Sequence, residues 1–177
     1  AEAAQQPGGL RGLVNNAGIH THGPSAELPT DELRRVLETN VTGLFVGCRE
    51  AYPHLKARGG GLIVNLGSFF DRMGVPRNLA YVASKAAVAG LTRCLAVEWA
   101  RDGIRVVNVA PGYIETNLNR DFLWRPAVQD YLQSRIPLGR AGRPEEVARL
   151  VAALFGEALD FLTGETIYLD GGHGIAH

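Results

Sequence analysis

The sequence has 177 residues, 46% of them hydrophobic and 20% charged, which suits a globular domain with its own core. Its 18 basic and 18 acidic residues cancel, and the basic residues are scattered. Scattered, balanced charge offers no surface for a nucleic acid or an acidic membrane, so we expect neither partner. No segment reaches 18 consecutive apolar residues, and residues 1–12 lack the pattern of a signal peptide. The two cysteines, Cys48 and Cys94, lie in helical patterns, which predicts buried free thiols in a cytoplasmic protein.

In chain order, apolar runs rich in β-branched residues alternate with longer helical patterns. The predicted strands are residues 10–15, 62–68, 104–112 and 165–172, and the predicted helices are residues 31–55, 80–100 and 144–159. Pro53 permits a kink or an early end in the first helix. Residues 113–142 are rich in polar and aromatic side chains and predict a long irregular loop, which is typical of a lid or binding loop.

Apolar strands separated by helices predict an α/β domain spanning residues 1–177, with a doubly wound parallel sheet covered on both faces. Ligands bind such sheets at the carboxyl ends of the strands. The predicted strands end at Asn15-Asn16-Ala17-Gly18, Gly67-Ser68, Pro111-Gly112 and Asp170-Gly171-Gly172. Polar or glycine backbone at these ends indicates a ligand site at this edge of the sheet.

Tyr81 and Lys85 lie four residues apart near the start of the second predicted helix, so they share one face of it. A nearby ammonium favours the phenolate and lowers the tyrosine pKa from about 10. Such a tyrosine is suited to general acid or base chemistry. Ser68, at the end of the preceding strand, is placed to hold a substrate oxygen beside the phenol. Taken alone, such a tyrosine is more often a packed ring, such a lysine a solvated amine, and such a serine a helix-cap or turn residue.

In combination, the motifs of this sequence resemble those of the short-chain dehydrogenase/reductase family. The resemblance covers essentially the whole chain and rests on "NNAG" at 15–18, "NVTG" at 40–43, Ser68, "YVASK" at 81–85, "PGYIET" at 111–116 and "TGETIYLDGG" at 163–172. It implies a Rossmann-like fold and an NAD(P)-dependent oxidoreductase that interconverts an alcohol and a carbonyl by hydride transfer. It does not decide between NAD and NADP, nor identify the small-molecule substrate.

The resemblance also implies a role for each matching residue. Tyr81 is the acid/base, Lys85 lowers its pKa and binds the nicotinamide ribose, and Ser68 orients the substrate oxygen. Asn40 holds a water that links Lys85 to solvent, the alternative being a residue that kinks the helix. The remaining cofactor-binding residues are Asn15, Ala17 and Gly18 for the adenosine half, and Pro111, Gly112, Ile114 and Thr116 for the nicotinamide.

The family's N-terminal strands and glycine-rich phosphate-binding turn have no counterpart in this sequence. The glycine cluster at residues 8–12 precedes a strand instead of following one. The strand at residues 10–15 then becomes an unpaired sheet edge. Three explanations are open: the chain is the C-terminal portion of a longer polypeptide, another chain supplies the missing portion, or the protein is truly short. A short protein would not bind NAD(P) and would act as a scaffold or in cofactor-independent chemistry.

Other side chains carry weaker expectations. His20 and His22 flank the "NNAG" turn without a third metal ligand nearby, so we expect a polar loop and no metal site. If these histidines have a function, we expect them to line the substrate entrance. Asp71 and Arg72 are expected to be a solvated loop pair, and His54, His173 and His177 show no pattern. Candidates for lining a pocket for a neutral or partly apolar substrate are Phe69, Phe70, Met73, Tyr113, Phe122 and Trp124. The family resemblance and the apolar second helix predict a homo-oligomer, a tetramer or a dimer.

Overall fold

One parallel sheet organises the chain. A computed structural model describes residues 9–117, 119–156 and 159–176, so Gly8, at the start of the glycine cluster, and His177 lie outside the described residues. The strands are β1 (Gly12–Asn15), β2 (Gly61–Leu66), β3 (Ile104–Pro111) and β4 (Thr166–Leu169). They pair in that order, each parallel to its neighbours, which confirms the predicted fold class. Within the described residues β1 pairs with β2 alone, and Val14 on it is 42% exposed.

The two faces of the sheet bury different helices because side chains alternate along each strand. Ile63, Ile104 and Val106 point to one face, where they pack against α2 (Gly43–Ala57) and α3 (Leu79–Trp99). Leu62, Val64, Leu66, Val107 and Val109 point to the other face and pack against α6 (Pro144–Leu154). This two-sided burial explains why the strands are apolar throughout.

The first predicted helix is interrupted. It consists of α1 (Thr30–Leu37), a π-helical turn at Glu38–Thr42, and α2. Pro53 lies inside α2 without ending it, because the helix is held on the sheet by buried residues on both sides of the proline. A π-turn of this kind is frequent at functional sites, and Asn40 lies in its centre.

α3 packs along β3 with one buried face, and a 3₁₀ turn at Ala100–Asp102 follows it. By length and composition the span Leu79–Asp102 would pass for a membrane helix, as core helices of soluble proteins also do, and 44% of the 18-residue apolar window within it is buried against the rest of the fold. Cys48 on α2 is buried as predicted. The prediction for Cys94 is wrong: it lies outside the buried stripe of α3 and is exposed.

Two predictions for the C-terminal third are corrected. Residues 113–142 are not irregular throughout, because they contain α4 (Arg120–Leu123) and α5 (Pro126–Arg135), whose buried leucines pack together with Ile136. The helix predicted over residues 144–159 ends at Leu154, where Phe155 and Gly156 follow. Glycine disfavours continuation of the helix. Glu157 and Ala158, which the predicted range included, lie outside the described residues.

Candidate active site

The first turns of α3 hold Tyr81 and Lys85 on one face, as their spacing predicts. Tyr81 is partly buried, and Lys85 is only 6% exposed. The Lys85 ammonium lies 5.5 Å from the centroid of the Tyr81 ring. Both side chains therefore meet at the carboxyl edge of the sheet, where the Lys85 ammonium lies beside the Tyr81 ring.

Lys85 is fixed to the end of β2. Its Nζ donates a hydrogen bond of 2.7 Å to the carbonyl of Leu66, the last residue of that strand. Burial disfavours the charged ammonium and lowers the pKa of Lys85 to about 8. Gly18 lies directly beside it: a Cβ on Gly18 would stand 3.7 Å from Lys85 Nζ and 3.4 Å from Asn40 Oδ1. The bare backbone at Gly18 thus keeps this side of the ammonium uncovered.

Burial raises the pKa of Tyr81, and a hydrogen bond with Ser68 opposes that shift. Lys85 is not among the causes of this pKa shift, so its effect on the tyrosine stays a prediction. Ser68 is 6% exposed, and its Oγ accepts a hydrogen bond from the Phe70 N–H at 3.3 Å, which caps the 3₁₀ turn Phe69–Arg72. The turn after β2 thereby fixes Ser68 beside the phenol.

Asn40 joins the first strand end to α3. Its Oδ1 accepts from the Ile19 N–H at 2.8 Å, and its Nδ2 donates to the Ile19 carbonyl at 2.9 Å and to Ser84 Oγ at 3.0 Å. The side chain is 1% exposed. Asn40 thus lies in a distorted helical turn, as expected of a residue that kinks the helix. It also lies beside Lys85 and Gly18, as expected of a residue that holds a water next to Lys85. Its role in holding a water stays a prediction.

The three residues predicted for the adenosine half of a cofactor are not equivalent. Ala17 and Gly18 are exposed at the end of β1. The amide of Asn15 is used inside the fold, donating to Asn65 Oδ1 at 2.9 Å and to Cys48 Sγ at 3.2 Å. Any contact of Asn15 with a ligand would therefore come from its backbone.

The residues predicted for the nicotinamide follow β3. Pro111 ends the strand, and the Gly112 N–H donates to the Leu169 carbonyl at 3.0 Å. A Cβ on Gly112 would stand 2.7 Å from the Asp170 Cα, so this position accepts no side chain without movement. Ile114 forms a parallel bridge with Gly142.

Thr116 lies farther along the same segment. Its N–H donates to Asn119 Oδ1 at 2.7 Å. It borders an open, polar cleft of about 430 Å³. The cleft is lined by Glu115, Thr116, Asn117, Arg120, Arg143, Pro144 and Glu145. Tyr81 is not among its lining residues, so this cleft does not contain the acid/base group.

Aromatic rings surround the Tyr81 ring. His20 meets it edge-on at a centroid distance of 4.9 Å, and Phe70 meets it edge-on at 6.1 Å. Tyr113 in turn lies 6.2 Å from Phe70. Phe70 and Tyr113 are two of the predicted pocket residues, and His20 is the predicted residue of the substrate entrance. Phe69 is core, at 2% exposure, whereas Phe122 and Trp124 are exposed on the surface at 50% and 63%.

His173 was missed by sequence reasoning, since no pattern marks it. It is buried and stacks on Tyr113 with a ring-centroid distance of 5.8 Å. Its Nε2 lies 3.5 Å from the Tyr131 hydroxyl oxygen. Burial raises the pKa of Tyr113 to about 12, so its hydroxyl stays protonated. Among the described residues, no group of three or more histidine, cysteine or acidic side chains forms a metal site.

The expectation of a solvated Asp71–Arg72 pair is wrong. Asp71 accepts a hydrogen bond from the Tyr168 hydroxyl at 3.0 Å. Arg72 lies over the Tyr168 ring at 3.7 Å and forms an ion pair with Asp170 at 3.5 Å. The Asp71 and Arg72 side chains therefore contact β4 and the turn after it. The 3₁₀ turn that follows Ser68 places them across the edge of the sheet from β4.

Comparisons with known proteins agree with this geometry. A family model described as enoyl-(acyl carrier protein) reductase matches residues 1–174. The chain is 40% identical to 3beta-hydroxysteroid dehydrogenase 1 of Eggerthella lenta over 93% of its own length and 64% of that protein. The chain thus spans just under two thirds of the length of this curated relative.

Solved structures show the same arrangement. A gluconate 5-dehydrogenase from Burkholderia cenocepacia J2315, in complex with NADP and tartrate, superposes with a TM-score of 0.90 at 36% identity, covering 95% of this chain and 66% of that one. A short-chain type dehydrogenase/reductase from Mycobacterium marinum gives a TM-score of 0.89 at 36% identity, covering 97% and 68%. The sheet, the strand-end motifs and a match over nearly the whole chain lead to one conclusion: the chain belongs to the short-chain dehydrogenase/reductase family.

Proposed function

We propose that this chain carries the catalytic portion of an NAD(P)-dependent oxidoreductase that interconverts an alcohol and a carbonyl. One observation carries the proposal: Ser68, Tyr81 and Lys85 meet at the carboxyl edge of the sheet, with Lys85 bound to the Leu66 carbonyl. This arrangement places a hydroxyl, a phenol and an ammonium within one small site. Each has the chemistry that carbonyl reduction or alcohol oxidation needs.

The residues present fit a dinucleotide. An ammonium has three N–H donors, and a single hydrogen bond, to Leu66, is found for Lys85 within the described chain, which leaves donors suited to ribose hydroxyls. Gly18 leaves that side of the ammonium uncovered. The NADP bound in the similar gluconate 5-dehydrogenase supports the assignment. The residues that would hold the cofactor are Tyr81 and Lys85 at the ribose, the backbone at Asn15, Ala17 and Gly18 near the adenosine, and Pro111, Gly112, Ile114 and Thr116 near the nicotinamide.

Tyr81 would exchange a proton with the substrate oxygen. Because burial raises its pKa, the phenol is protonated at neutral pH and is ready to act as an acid toward a carbonyl. Ser68 would donate a hydrogen bond to the same oxygen and fix its position. When bound, the nicotinamide supplies or accepts the hydride, and the protein contributes position and electrostatics. Alcohol oxidation needs the phenolate, so it should accelerate as pH rises.

Asn40 would connect Lys85 to solvent through a water. Both amide hydrogens of Asn40 are engaged, with Ile19 and Ser84, and one lone pair of Oδ1 is taken by the Ile19 N–H. A water would therefore donate to the second lone pair of Oδ1, which faces the space beside Gly18. That water would stand close to the Lys85 ammonium and complete a proton path.

The surroundings of Tyr81 favour a neutral, partly apolar substrate. Its nearest aromatic neighbours are His20 and Phe70, and Tyr113 lies beyond Phe70. Arg72, in the 3₁₀ turn that follows Ser68, forms an ion pair with Asp170 and lies over the Tyr168 ring. Apart from Lys85, which is assigned to the cofactor, and Ser68, the described side chains around Tyr81 are aromatic rings, and such rings accommodate cyclic or aryl secondary alcohols and their ketones better than acids.

We also propose that the protein assembles as a homo-oligomer through the outer faces of α2 and α3. Phe45 and Val46 on α2 are each 37% exposed, and Val97 on α3 is 80% exposed. Apolar side chains on an outer helix face mark an interaction surface when they are contiguous. Sedimentation should therefore show a dimer or tetramer, and a monomer at micromolar concentration would contradict this proposal.

A turnover assay tests the proposed activity. The whole protein is incubated with NAD or NADP and a panel of neutral secondary alcohols, and formation of the reduced cofactor is followed by absorbance. We expect reduction that requires both alcohol and cofactor. Absence of cofactor reduction with every alcohol of the panel, in a preparation shown to bind the cofactor, would overturn the proposal.

A further inference from the structure

Two loops that border the site are joined to each other. The Gly23 N–H donates to the Arg77 carbonyl at 2.9 Å, and Arg77 Nε donates to His22 Nε2 at 3.0 Å. Arg77 has a φ of +67°, a conformation that L residues other than asparagine and aspartate rarely adopt. The loop after β1 and the loop before α3 are thereby held together at the mouth of the site.

Within this junction His20 is bound to Asn78. His20 Nε2 lies 2.5 Å from Asn78 Oδ1, and Asn78 is 8% exposed. Asn78 Nδ2 donates to the Pro76 carbonyl at 2.8 Å, which directs its oxygen, not its nitrogen, toward the imidazole. Since that oxygen only accepts, His20 Nε2 must carry the proton. In the neutral ring, Nδ1 is then a hydrogen-bond acceptor.

His20 also contacts the acid/base group. Its ring stands nearly perpendicular to the Tyr81 ring, at 83°, with the centroids 4.9 Å apart. The residue is exposed, and the described residues provide no second hydrogen-bond partner for it beyond Asn78. A polar acceptor of fixed tautomer therefore lies next to the phenol, on a side chain that the acid/base mechanism does not use.

We propose that His20 is a second substrate-binding group, accepting at Nδ1 a hydrogen bond from a hydroxyl on a carbon adjacent to the reacting carbon. This inference rests on the proposed oxidoreductase function. It names the substrate class as neutral vicinal diols and the corresponding α-hydroxy ketones. A carboxylate at the same place would set its oxygen lone pairs against the Nδ1 lone pair and is disfavoured. Asn78 is a positioning residue, since it acts through the tautomer of His20.

A binding experiment tests this without turnover. The ¹⁵N-labelled protein is titrated with cyclohexane-1,2-diol and, separately, with cyclohexanol, while the histidine ring nitrogens are observed by NMR. The His20 signals are assigned by their loss in His20→Phe. We expect the diol to shift His20 Nδ1 and cyclohexanol to leave it unmoved. Equal shifts with both compounds, or none with the diol, would overturn the proposal.

Kinetics supply the second readout in the active protein. His20→Phe retains a ring against Tyr81 and removes both nitrogens, so kcat/KM for the diol should fall at least about tenfold more than kcat/KM for cyclohexanol. His54→Phe, an exposed histidine on α2, is the matched control and should change neither value. Asn78→Leu should reproduce part of the diol-specific loss. A uniform loss for both substrates in His20→Phe would show a purely structural role.

Failure of this inference and failure of the proposed function give different results. If the protein turns over cyclohexanol and the diol equally, and His20→Phe leaves that ratio unchanged, the oxidoreductase function stands and the role of His20 is wrong. If the diol shifts His20 Nδ1 but no alcohol is oxidised, the binding group stands and the oxidoreductase function is wrong. A marked preference for hydroxy acids over the diol would likewise contradict the assignment of His20.

Discussion

Lys85 is a buried ammonium, and its replacement by methionine tests how the fold holds the site. The side chain is 6% exposed and makes one described hydrogen bond, to the Leu66 carbonyl. Burial lowers its pKa from 10.5 to about 8. The folded protein therefore gives up the Lys85 proton at a lower pH than the unfolded chain does. Methionine keeps much of the length and volume of the side chain and removes the titrating group.

The sign and size of the effect follow from proton linkage. Between about pH 8 and pH 10.5 the unfolded chain binds this proton and the folded protein does not, so the free energy of unfolding rises with pH. At about 1.36 kcal/mol for each pH unit, the full window corresponds to about 3 kcal/mol. Below pH 8 both states are protonated, and the cost of burying the charge is present in full.

Urea unfolding at a series of pH values from 7 to 10 measures this contribution. The unfolding free energy of Lys85→Met should rise less with pH than that of the wild type, by about 2–3 kcal/mol at pH 10. Groups common to both proteins cancel in the difference. Lys56→Met is the matched control, because Lys56 is exposed and its pKa is raised by Tyr52 and Asp102. Parallel pH profiles for the wild type and Lys85→Met would show that Lys85 does not titrate at a lower pH in the folded protein than in the unfolded chain.

Three further predictions concern the residues around Lys85. Ser68→Ala should lower kcat about a hundredfold with a smaller change in KM, because a donor to the reacting oxygen is lost; an unchanged kcat would exclude that role. Asn40→Leu leaves the partly buried N–H and C=O of Ile19 without these partners and should cost about 1–3 kcal/mol for each group orphaned, measured by urea unfolding. Gly67→Ala would place a Cβ 2.5 Å from Asn108 Oδ1 and should destabilise by about 1–3 kcal/mol, whereas Gly74→Ala meets nothing within 4 Å and should unfold like the wild type. Equal stability of the two alanine variants would contradict the packing described.

The sequence predicts the fold and the position of the site well because both depend on local pattern. Apolar β-branched runs place β2 and β3 correctly, since strands buried on two faces have no polar alternation. Helical spacing places Tyr81 and Lys85 on one face without any tertiary information. The end of β2 then delivers Ser68 beside them, as parallel strand ends share an edge.

The rest depends on contacts between segments far apart in the chain. The sequence predicts Asp71 and Arg72 as a solvated pair. In the structure the 3₁₀ turn places them against Tyr168 and Asp170 instead. The pKa of Tyr81 depends on how much water the fold removes, which spacing along a helix does not report. His20 offers a sequence signal only in following the "NNAG" turn, and its bond to Asn78 joins residues 58 positions apart.

We propose that the Tyr81 hydroxyl exchanges the proton during alcohol–carbonyl interconversion. Turnover of the whole protein with its cofactor is therefore compared in Tyr81→Phe and in Tyr52→Phe, whose hydroxyl in the wild type donates to Asp102 away from the site. We predict that Tyr81→Phe loses turnover by at least about a hundredfold. Its cofactor affinity should stay within about twofold of the wild type, and Tyr52→Phe should remain active. Turnover of Tyr81→Phe comparable to that of Tyr52→Phe would show that the Tyr81 hydroxyl does not carry the proton.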